Sequence, residues 1–344
     1  MTANGHHPDD TGSPEPTESH NGHTTAAHLR YPTLDWGRAF DRLPEDVDWL
    51  VPDFLVRGSL YSLVSPAKAG KSLLMLDTAA ALAAGRPALG HPAQEPIHVL
   101  YIDHENSRDD LTERLSDMGY GPEHLANLHY LSFPTMPPLD RAAGGQDLAD
   151  VAEHYGAELV IIDTIARVVA GEENSADTYR DFYRHTLLPL KAARRAVVRL
   201  DHRGHGRDGA RGSSAKNDDV DVVWQLSQSP GPNGEAYVSL KLERQRGNAH
   251  PDLIRILRDI NPRLRHEAKP AQRTLDEEER IRNCVDAMKR IGLPLDMGAR
   301  KARTALRDSG YKVRNEVVAA AVKARKAMCP QPSANGGDTL EIAI

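Results

Sequence analysis

Residues 65–72, Ser-Pro-Ala-Lys-Ala-Gly-Lys-Ser, combine a glycine, two lysines and a final hydroxyl in a pattern suited to phosphate binding. The stretch follows an apolar run and opens a helical one, the context in which a loop wraps a polyphosphate with its backbone N–H groups. Gly70 would allow close backbone approach, Lys71 would reach the β- and γ-phosphates, and the Ser72 hydroxyl would bind Mg²⁺. The pattern ordinarily begins with Gly, where this chain has Ser. The predicted nucleotide contacts are Ser65, Pro66, Ala67, Lys68, Ala69, Gly70, Lys71 and Ser72.

A second candidate is the carboxylate of Asp163, which ends the apolar run Leu-Val-Ile-Ile-Asp. A lone Asp at a strand end is most often a cap or a turn residue. In a chain that also has a phosphate-binding loop, an acid at this position is expected to hold Mg²⁺, usually through a bound water. We therefore predict ATP and Mg²⁺ as ligands, with Ser72 and Asp163 at the metal.

A third candidate is Glu105, in the run Val-Leu-Tyr-Ile-Asp-His-Glu at residues 99–105. Hydrolysis of ATP requires a carboxylate that orients the attacking water. Glu105 is the preferred residue, ahead of Asp103 and His104. The alternative is that this polar cluster only caps the helix that follows. With the loop and Asp163, Glu105 predicts an ATPase.

The elements that must position these residues alternate between apolar runs and helical stretches from residue 34 to residue 266. Strands are expected at 59–65, 98–103, 159–163, 196–201, 220–226 and 237–242. Helices are expected at 72–84, 107–118, 146–155 and 178–195. Several strands are continuously apolar, as expected when both faces are buried. The pattern predicts an α/β fold whose central sheet is mainly parallel and covered by helices.

Residues 34–248 resemble the RecA-like superfamily, and within it the hexameric replicative helicases similar to DnaB and to plasmid RepA. The resemblance is carried by the phosphate loop within residues 58–82, by Asp163 followed by Thr164, and by Glu105. It is also carried by Arg-Gly-Ser-Ser-Ala at 211–215 and by Asp-Asp-Val-Asp-Val-Val at 218–223. The resemblance implies a RecA-like P-loop ATPase domain.

The resemblance also implies roles for three further residues. His202 matches the place of a γ-phosphate sensor, where helicases of the DnaB type carry Gln. Arg246 matches the arginine finger that enters the next subunit's ATP site, and Arg244 is its neighbour on the same phosphates. The alternative is that both arginines are ordinary exposed residues at a strand end. A finger that acts on a neighbour implies a ring or filament, expected to be a hexamer.

Two regions are candidates for contact with nucleic acid. Residues 203–211 are glycine-rich and basic, and the corresponding loop of RecA-like proteins faces single-stranded DNA, which would place Arg203, Arg207 and Arg211 on phosphates. A plain mobile loop is the alternative. Residues 280–326 carry 13 Lys or Arg against 4 Asp or Glu, in a chain of net charge −6.

The C-terminal region predicts three helices, at 276–291, 299–308 and 314–328, with a glycine before the last. This resembles a helix-turn-helix or winged-helix module. The side chains expected on DNA phosphates are Arg314, Asn315, Lys323, Arg325 and Lys326. The alternative is a solvated basic surface.

The remaining organisation follows from composition. Residues 1–33 predict a disordered tail, 34–266 the ATPase domain, 267–275 a linker, 276–328 the helical domain and 329–344 a flexible tail. Two cysteines, Cys284 and Cys329, and no apolar run of membrane-spanning length fit a cytoplasmic protein.

Three functions agree with these features. The leading one is a DNA-dependent ATPase of the RepA/DnaB helicase type, or a helicase loader, which would work with a primase or initiator. The second is a RecA-like recombination or repair ATPase. The third is a nucleotide-switched DNA-binding regulator that uses the C-terminal module.

Overall fold

In the computed structural model, the described residues are 33–41, 46–172, 175–202, 218–230, 236–269 and 275–327. Nearly all of the expected N-terminal tail and the whole expected C-terminal tail lie outside these ranges. A short helix, α1 (Trp36–Asp41), has no buried residue and is described by itself.

The main body is a nine-stranded sheet. Its strands are β3 (Leu60–Ser65), β4 (Val99–Asp103), β5 (Leu128–Ser132), β6 (Leu159–Asp163), β7 (Ala196–His202), β8 (Val222–Pro230), β9 (Ala236–Gln245), β10 (Leu253–Asp259) and β11 (Arg265–Lys269). Their order across the sheet is β11-β10-β9-β8-β3-β7-β6-β4-β5. The six strands from β8 to β5 are parallel, and β9, β10 and β11 extend the sheet with antiparallel pairing. The predicted α/β fold with a mainly parallel sheet is therefore confirmed. A separate antiparallel pair is formed by β1 (Trp49–Val51) and β2 (Leu55–Val56).

Helices cover both faces of this sheet, because its central strands are apolar along their whole length. Every residue of β4 and β6 is buried. One core lies between the sheet and α2 (Lys71–Ala83), and the other between the sheet and α4 (Ala142–His154) with α6 (Ala176–Phe182). The sheet-containing part of the chain also has the helices α3 (Arg108–Asp117), α5 (Ile165–Val168) and α7 (Leu188–Ala192), a 3₁₀ turn at Pro122–His124 and a π-helical segment at Tyr183–Leu187.

The expected linker is wrong at its start. Residues 267–269 belong to β11, where Glu267 pairs with Leu257 and Ala268 with Ile256 of β10. The polar composition of this stretch suggested a linker, but an edge strand is stabilised by backbone hydrogen bonds that need no apolar pattern. The sheet therefore continues to Lys269, and residues 270–274 lie outside the described ranges.

The C-terminal region contains the three expected helices: α8 (Leu275–Arg290), α9 (Ala299–Asp308) and α10 (Asn315–Ala327). Their small core includes Met288, Leu306 and Val318. Six residues connect α9 to α10, and residues 275–327 contain no strand that would form a wing. None of the helices in the described ranges has both the length and the apolar character needed to cross a bilayer.

Candidate active site

The phosphate loop joins β3 to α2 in a conformation that exposes the start of the helix. Lys68 and Gly70 have φ angles of 60° and 88°, in the left-handed region that is favourable for glycine. Gly70 is the N-cap of α2, and no side chain caps the helix there. The first amides of α2 are therefore available to an anion. Ser65, in place of the usual Gly, donates its hydroxyl to the carbonyl of Pro66 at 2.8 Å and so serves the loop itself.

The other loop residues divide between exposed and buried positions. The side chains of Pro66, Ala67 and Lys68 are exposed, and Ala69 is buried. Gln228 of β8 donates to the Ala69 carbonyl at 2.9 Å and ties the loop to the neighbouring strand. The hydrogen bond from β8 thus anchors the loop to the sheet, while the side chains at the tip of the loop stay exposed to solvent.

Lys71 is the buried cation of the loop, with 4% of its surface exposed. Its ammonium lies 3.3 Å from Nδ1 of His202, the last residue of β7. Burial lowers the pKa of Lys71, whereas the carboxylates of Asp163, Glu105 and Asp201 raise it. A cation kept among three acids in this way is suited to a phosphate chain that brings further negative charge.

Asp163 offers one free carboxylate oxygen to a metal. The Tyr101 hydroxyl donates to its Oδ2 at 2.9 Å, while Oδ1 is buried with no hydrogen-bond partner among the described residues. Burial raises the pKa of Asp163 to about 6, against the opposing effect of the Ser72 and Tyr101 hydroxyls. A buried acceptor without a donor fits a cation, and hard oxygen ligands are those that Mg²⁺ prefers. Ser72 and Asp163 would hold Mg²⁺, which would neutralise phosphate charge.

Asp103 and Glu105 have different surroundings. Asp103 is fully buried and accepts hydrogen bonds from the Glu105 amide at 2.7 Å, from both nitrogens of Asn106 and from the Tyr130 hydroxyl. Its oxygens are therefore occupied in shaping the turn. Glu105 projects from that turn with 32% of its side chain exposed, and its Oε1 lies 3.8 Å from Nε2 of His202. His104 packs edge-on against Phe133, with the ring centroids 6.5 Å apart.

Sequence reasoning missed the tyrosines that support the two acids. Tyr101 and Tyr130 stack with their centroids 4.8 Å apart, and each donates its hydroxyl to one of the aspartates described above. The available signal was a tyrosine inside a buried apolar run, since a buried hydroxyl needs an acceptor. Tyr130 lies on β5, which the sequence pattern did not predict.

Arg244 and Arg246 lie towards the end of the sheet where the parallel strands begin, which is opposite to the end that holds their own phosphate loop. Arg244 pairs with Val223, whose neighbour on β3 is Ser62, near the start of the strand that ends at Ser65. Arg246 donates to the Asp218 carbonyl at 2.8 Å, and Arg244 forms an ion pair with the Asp218 side chain. Neither is placed on its own chain's phosphates, so action on a neighbouring subunit stays a prediction.

The candidates for nucleic-acid contact are only partly described. Arg203, Arg207 and Arg211 lie outside the described ranges. Arg314 and Lys323 are exposed.

Two of the other basic side chains expected on DNA point elsewhere. Arg325 is buried and donates to the Leu293 carbonyl, so the expectation that it faces DNA is wrong. It lies on the inner face of α10, where the packing of the bundle determines its direction. Lys326 donates to Asp46 at 3.1 Å.

Comparison with known proteins gives two findings. A family model described as an AAA domain matches residues 25–208, more than half of the chain and a range that contains Lys71, Glu105, Asp163 and His202. The solved structure of flagellar accessory protein FlaH from Methanocaldococcus jannaschii is similar at 13% identity and a TM-score of 0.46. That match covers 64% of this chain and 92% of the other.

Proposed function

We propose that this chain, which belongs to the AAA domain family, is a DNA-dependent motor of the RepA/DnaB helicase type that hydrolyses ATP with Mg²⁺. The observation that supports ATP hydrolysis most directly is the convergence of five functional side chains at one edge of the sheet. They follow or end four parallel strands, β3, β4, β6 and β7, and they are Lys71, Ser72, Glu105, Asp163 and His202. The carboxyl edge of a parallel sheet is where such folds bind ligands.

Each side chain has a role in this proposal. The loop amides and Lys71 bind the phosphates, and Ser72 with Asp163 binds Mg²⁺. Glu105 accepts a hydrogen bond from the attacking water and orients it towards the γ-phosphate. His202 lies between Lys71 and Glu105, and these two contacts support its proposed role as the sensor of the γ-phosphate. The acid and the cation that this chemistry requires are therefore on opposite sides of one imidazole.

The assembly is proposed to be a ring, with Arg246 as the finger and Arg244 beside it. Support comes from the distance between these arginines and their own loop. Arg244 on β9 is level with Ser62 of β3, three residues before the end of that strand, so both arginines lie about 10 Å or more from the loop. In a ring that edge can meet the phosphate loop of a neighbour. An arginine there would stabilise the charge that builds on the transferred phosphoryl group.

The DNA partner is supported by the charge of the C-terminal helices. One face of α9 carries exposed Arg300, Lys301, Arg303 and Arg307. Beside it, the connection to α10 lines a cleft of about 210 Å³ with Tyr311 and Lys312. Closely spaced cations neutralise successive phosphates, and this gives affinity without sequence preference. We therefore assign the DNA contact of this domain to α9 and the following connection, together with Arg314.

A nucleotide-switched DNA-binding regulator is the second candidate. The feature that favours it is that the basic helices form a core of their own, apart from the sheet that holds the ATP site. In that case ATP would change duplex binding, and DNA would not change the rate of hydrolysis.

The deciding experiment measures ATP hydrolysis by wild type and Lys71→Ala, each with and without single-stranded DNA. A motor requires hydrolysis that DNA stimulates in wild type and that the variant lacks, and strand displacement would be measured next. Lys71-dependent hydrolysis that ignores DNA would contradict the motor and favour the regulator. A wild type that binds ATP without hydrolysing it under any condition would contradict the ATPase.

A further inference from the structure

Arg258, near the end of β10, lies directly against the phosphate loop. A Cβ atom built on Gly70 would stand 2.1 Å from its Nη2, so a larger residue at position 70 would require the guanidinium to move. The strand directions explain the contact, since β10 runs antiparallel to β9, β9 antiparallel to β8, and β8 parallel to β3. The end of β10 therefore reaches the same edge of the sheet as the loop. Glycine at position 70 leaves room for this guanidinium as well as for the turn.

The guanidinium is held in place by a relay through His266 to α2. Nε of Arg258 donates to Nε2 of His266 at 3.1 Å, and Nδ1 of His266 lies 2.8 Å from Asp77 Oδ2. Because arginine can only donate, Nε2 is the accepting nitrogen and Nδ1 carries the proton that bonds Asp77. Asp77 lies on α2, six residues after Lys71, and also accepts from the His266 amide at 2.9 Å. Hydrogen bonds that start at Asp77 on α2 and pass through His266 thus fix the orientation of Arg258, and α2 is the helix that begins at the phosphate loop.

One terminal nitrogen of this guanidinium has no partner among the described residues. Nη2 is buried without a hydrogen bond, and no carboxylate in those ranges forms an ion pair with Arg258. Burial lowers the pKa of this guanidinium. A buried donor of a charged group that lacks an acceptor is costly, so such a group indicates a missing anion.

We propose that Arg258 is a second cation of the nucleotide site, which binds the phosphates of the ATP held by its own chain. The proposal rests on the proposed ATPase function and adds a residue from outside the loop. Its position at Gly70 favours phosphate over other anions, because the backbone of that loop is what surrounds the phosphates. Arg258 lies at the same end of the sheet as the phosphate loop and would act on the ATP of its own subunit. Arg244 and Arg246 lie at the opposite end of the sheet, and Arg246 would act on the ATP of the neighbouring subunit.

The test uses the full chain and competition for a fluorescent ADP analogue. Wild type, Arg258→Gln and Arg258→Lys are titrated with ATP, with ADP and with inorganic tripolyphosphate, which has no adenosine. Arg255→Gln is the matched control, because Arg255 is an exposed arginine three residues earlier on the same strand. We expect Arg258→Gln to weaken the binding of ATP and of tripolyphosphate by a similar factor of roughly 10 to 100, which corresponds to the loss of a hydrogen bond to a charged group. Arg258→Lys should fall between, and the control should match wild type.

Two results would overturn the assignment. If Arg258→Gln binds all three competitors as wild type does, the arginine does not contact the nucleotide. If the binding of ATP and ADP is weakened while the binding of tripolyphosphate is not, the guanidinium contacts adenosine instead of phosphate. The first of these results, accompanied by a lower melting temperature of Arg258→Gln, would indicate a purely structural role. Since these are comparisons of binding, they stay informative even if wild type proves not to hydrolyse ATP.

Discussion

The Lys71 ammonium lies 3.3 Å from Nδ1 of His202, which connects the phosphate loop to the last residue of the adjacent strand β7. The two strands are in parallel register there, with Ser65 opposite His202. The other imidazole nitrogen is 3.8 Å from Glu105. One side chain therefore bridges the cation that binds phosphate and the acid proposed to orient water, and a bound γ-phosphate would change both contacts together.

The first prediction concerns this bridge. His202→Ala should lower the kcat of ATP hydrolysis about 100-fold, as for the loss of one positioned donor at a developing charge, while ADP affinity changes little. His202→Gln keeps a donor and an acceptor and should retain most of the activity. Steady-state kinetics with ADP binding measures both. Equal losses for Ala and Gln would show that the imidazole has a different role.

The second prediction separates the two acids of the β4 turn. Glu105→Gln should bind ATP and hydrolyse it at least about 100-fold more slowly, with an unchanged melting temperature, because its side chain is partly exposed. Asp103→Ala should instead destabilise the fold by about 2–4 kcal/mol, since its loss leaves several buried donors without an acceptor. Thermal unfolding with ATPase assays distinguishes them. A stable, inactive Asp103→Ala would reverse the assignment.

The third prediction concerns Asp163 and Mg²⁺. Its pKa is raised to about 6, so the folded protein without metal loses stability as the pH rises from about 4 to 6, because the unfolded chain gives up the proton first. Asp163→Asn removes this effect and should be up to about 3 kcal/mol more stable than wild type at pH 8 in a chelator. Excess Mg²⁺ with ATP should reverse the order. Denaturant unfolding under both conditions measures it, and a variant less stable than wild type in chelator would contradict the assigned metal site.

The fourth prediction concerns the contribution of His250 to the loss of folding stability at acidic pH. This side chain is buried, its Nε2 is 3.2 Å from the Tyr61 hydroxyl, and burial lowers its pKa to about 4. The unfolded chain takes up the proton near pH 6.5, so stability is lost as the pH falls from about 6.5 to 4, by about 3 kcal/mol. His250→Gln should lose less stability between pH 7 and pH 4.5 than wild type. Parallel slopes for the two proteins would contradict a buried neutral imidazole.

The fifth prediction tests action between subunits. Arg246→Ala and Lys71→Ala should each be inactive alone, and an equimolar mixture should recover part of the activity. In a mixed ring, an intact phosphate loop can meet an intact arginine from a neighbour. ATPase assays of the mixture measure this, with Lys71→Ala mixed with Glu105→Gln as the control, since both changes affect the same side of an interface. No recovery in the first mixture would argue against the finger role.

The sequence by itself determined the fold class and predicted that the main candidate residues of the ATP site lie close together. Lys71, Ser72 and Asp163 could be identified because each follows or ends an apolar run, and parallel strands place such residues at one edge. These signals are local, since a strand, a turn and the start of a helix are specified by neighbouring residues. The three C-terminal helices could be predicted for the same reason.

Only the tertiary structure decided how distant segments meet. Asp77 and His266 are 189 residues apart and hydrogen-bonded, and Arg258 reaches Gly70 across three strand pairings, two antiparallel and one parallel. Strand register across such separations depends on long-range packing and on backbone hydrogen bonds, which are the same for every residue type. The extension of the sheet to β11 and the contact of Arg258 with the phosphate loop therefore leave no pattern in the sequence.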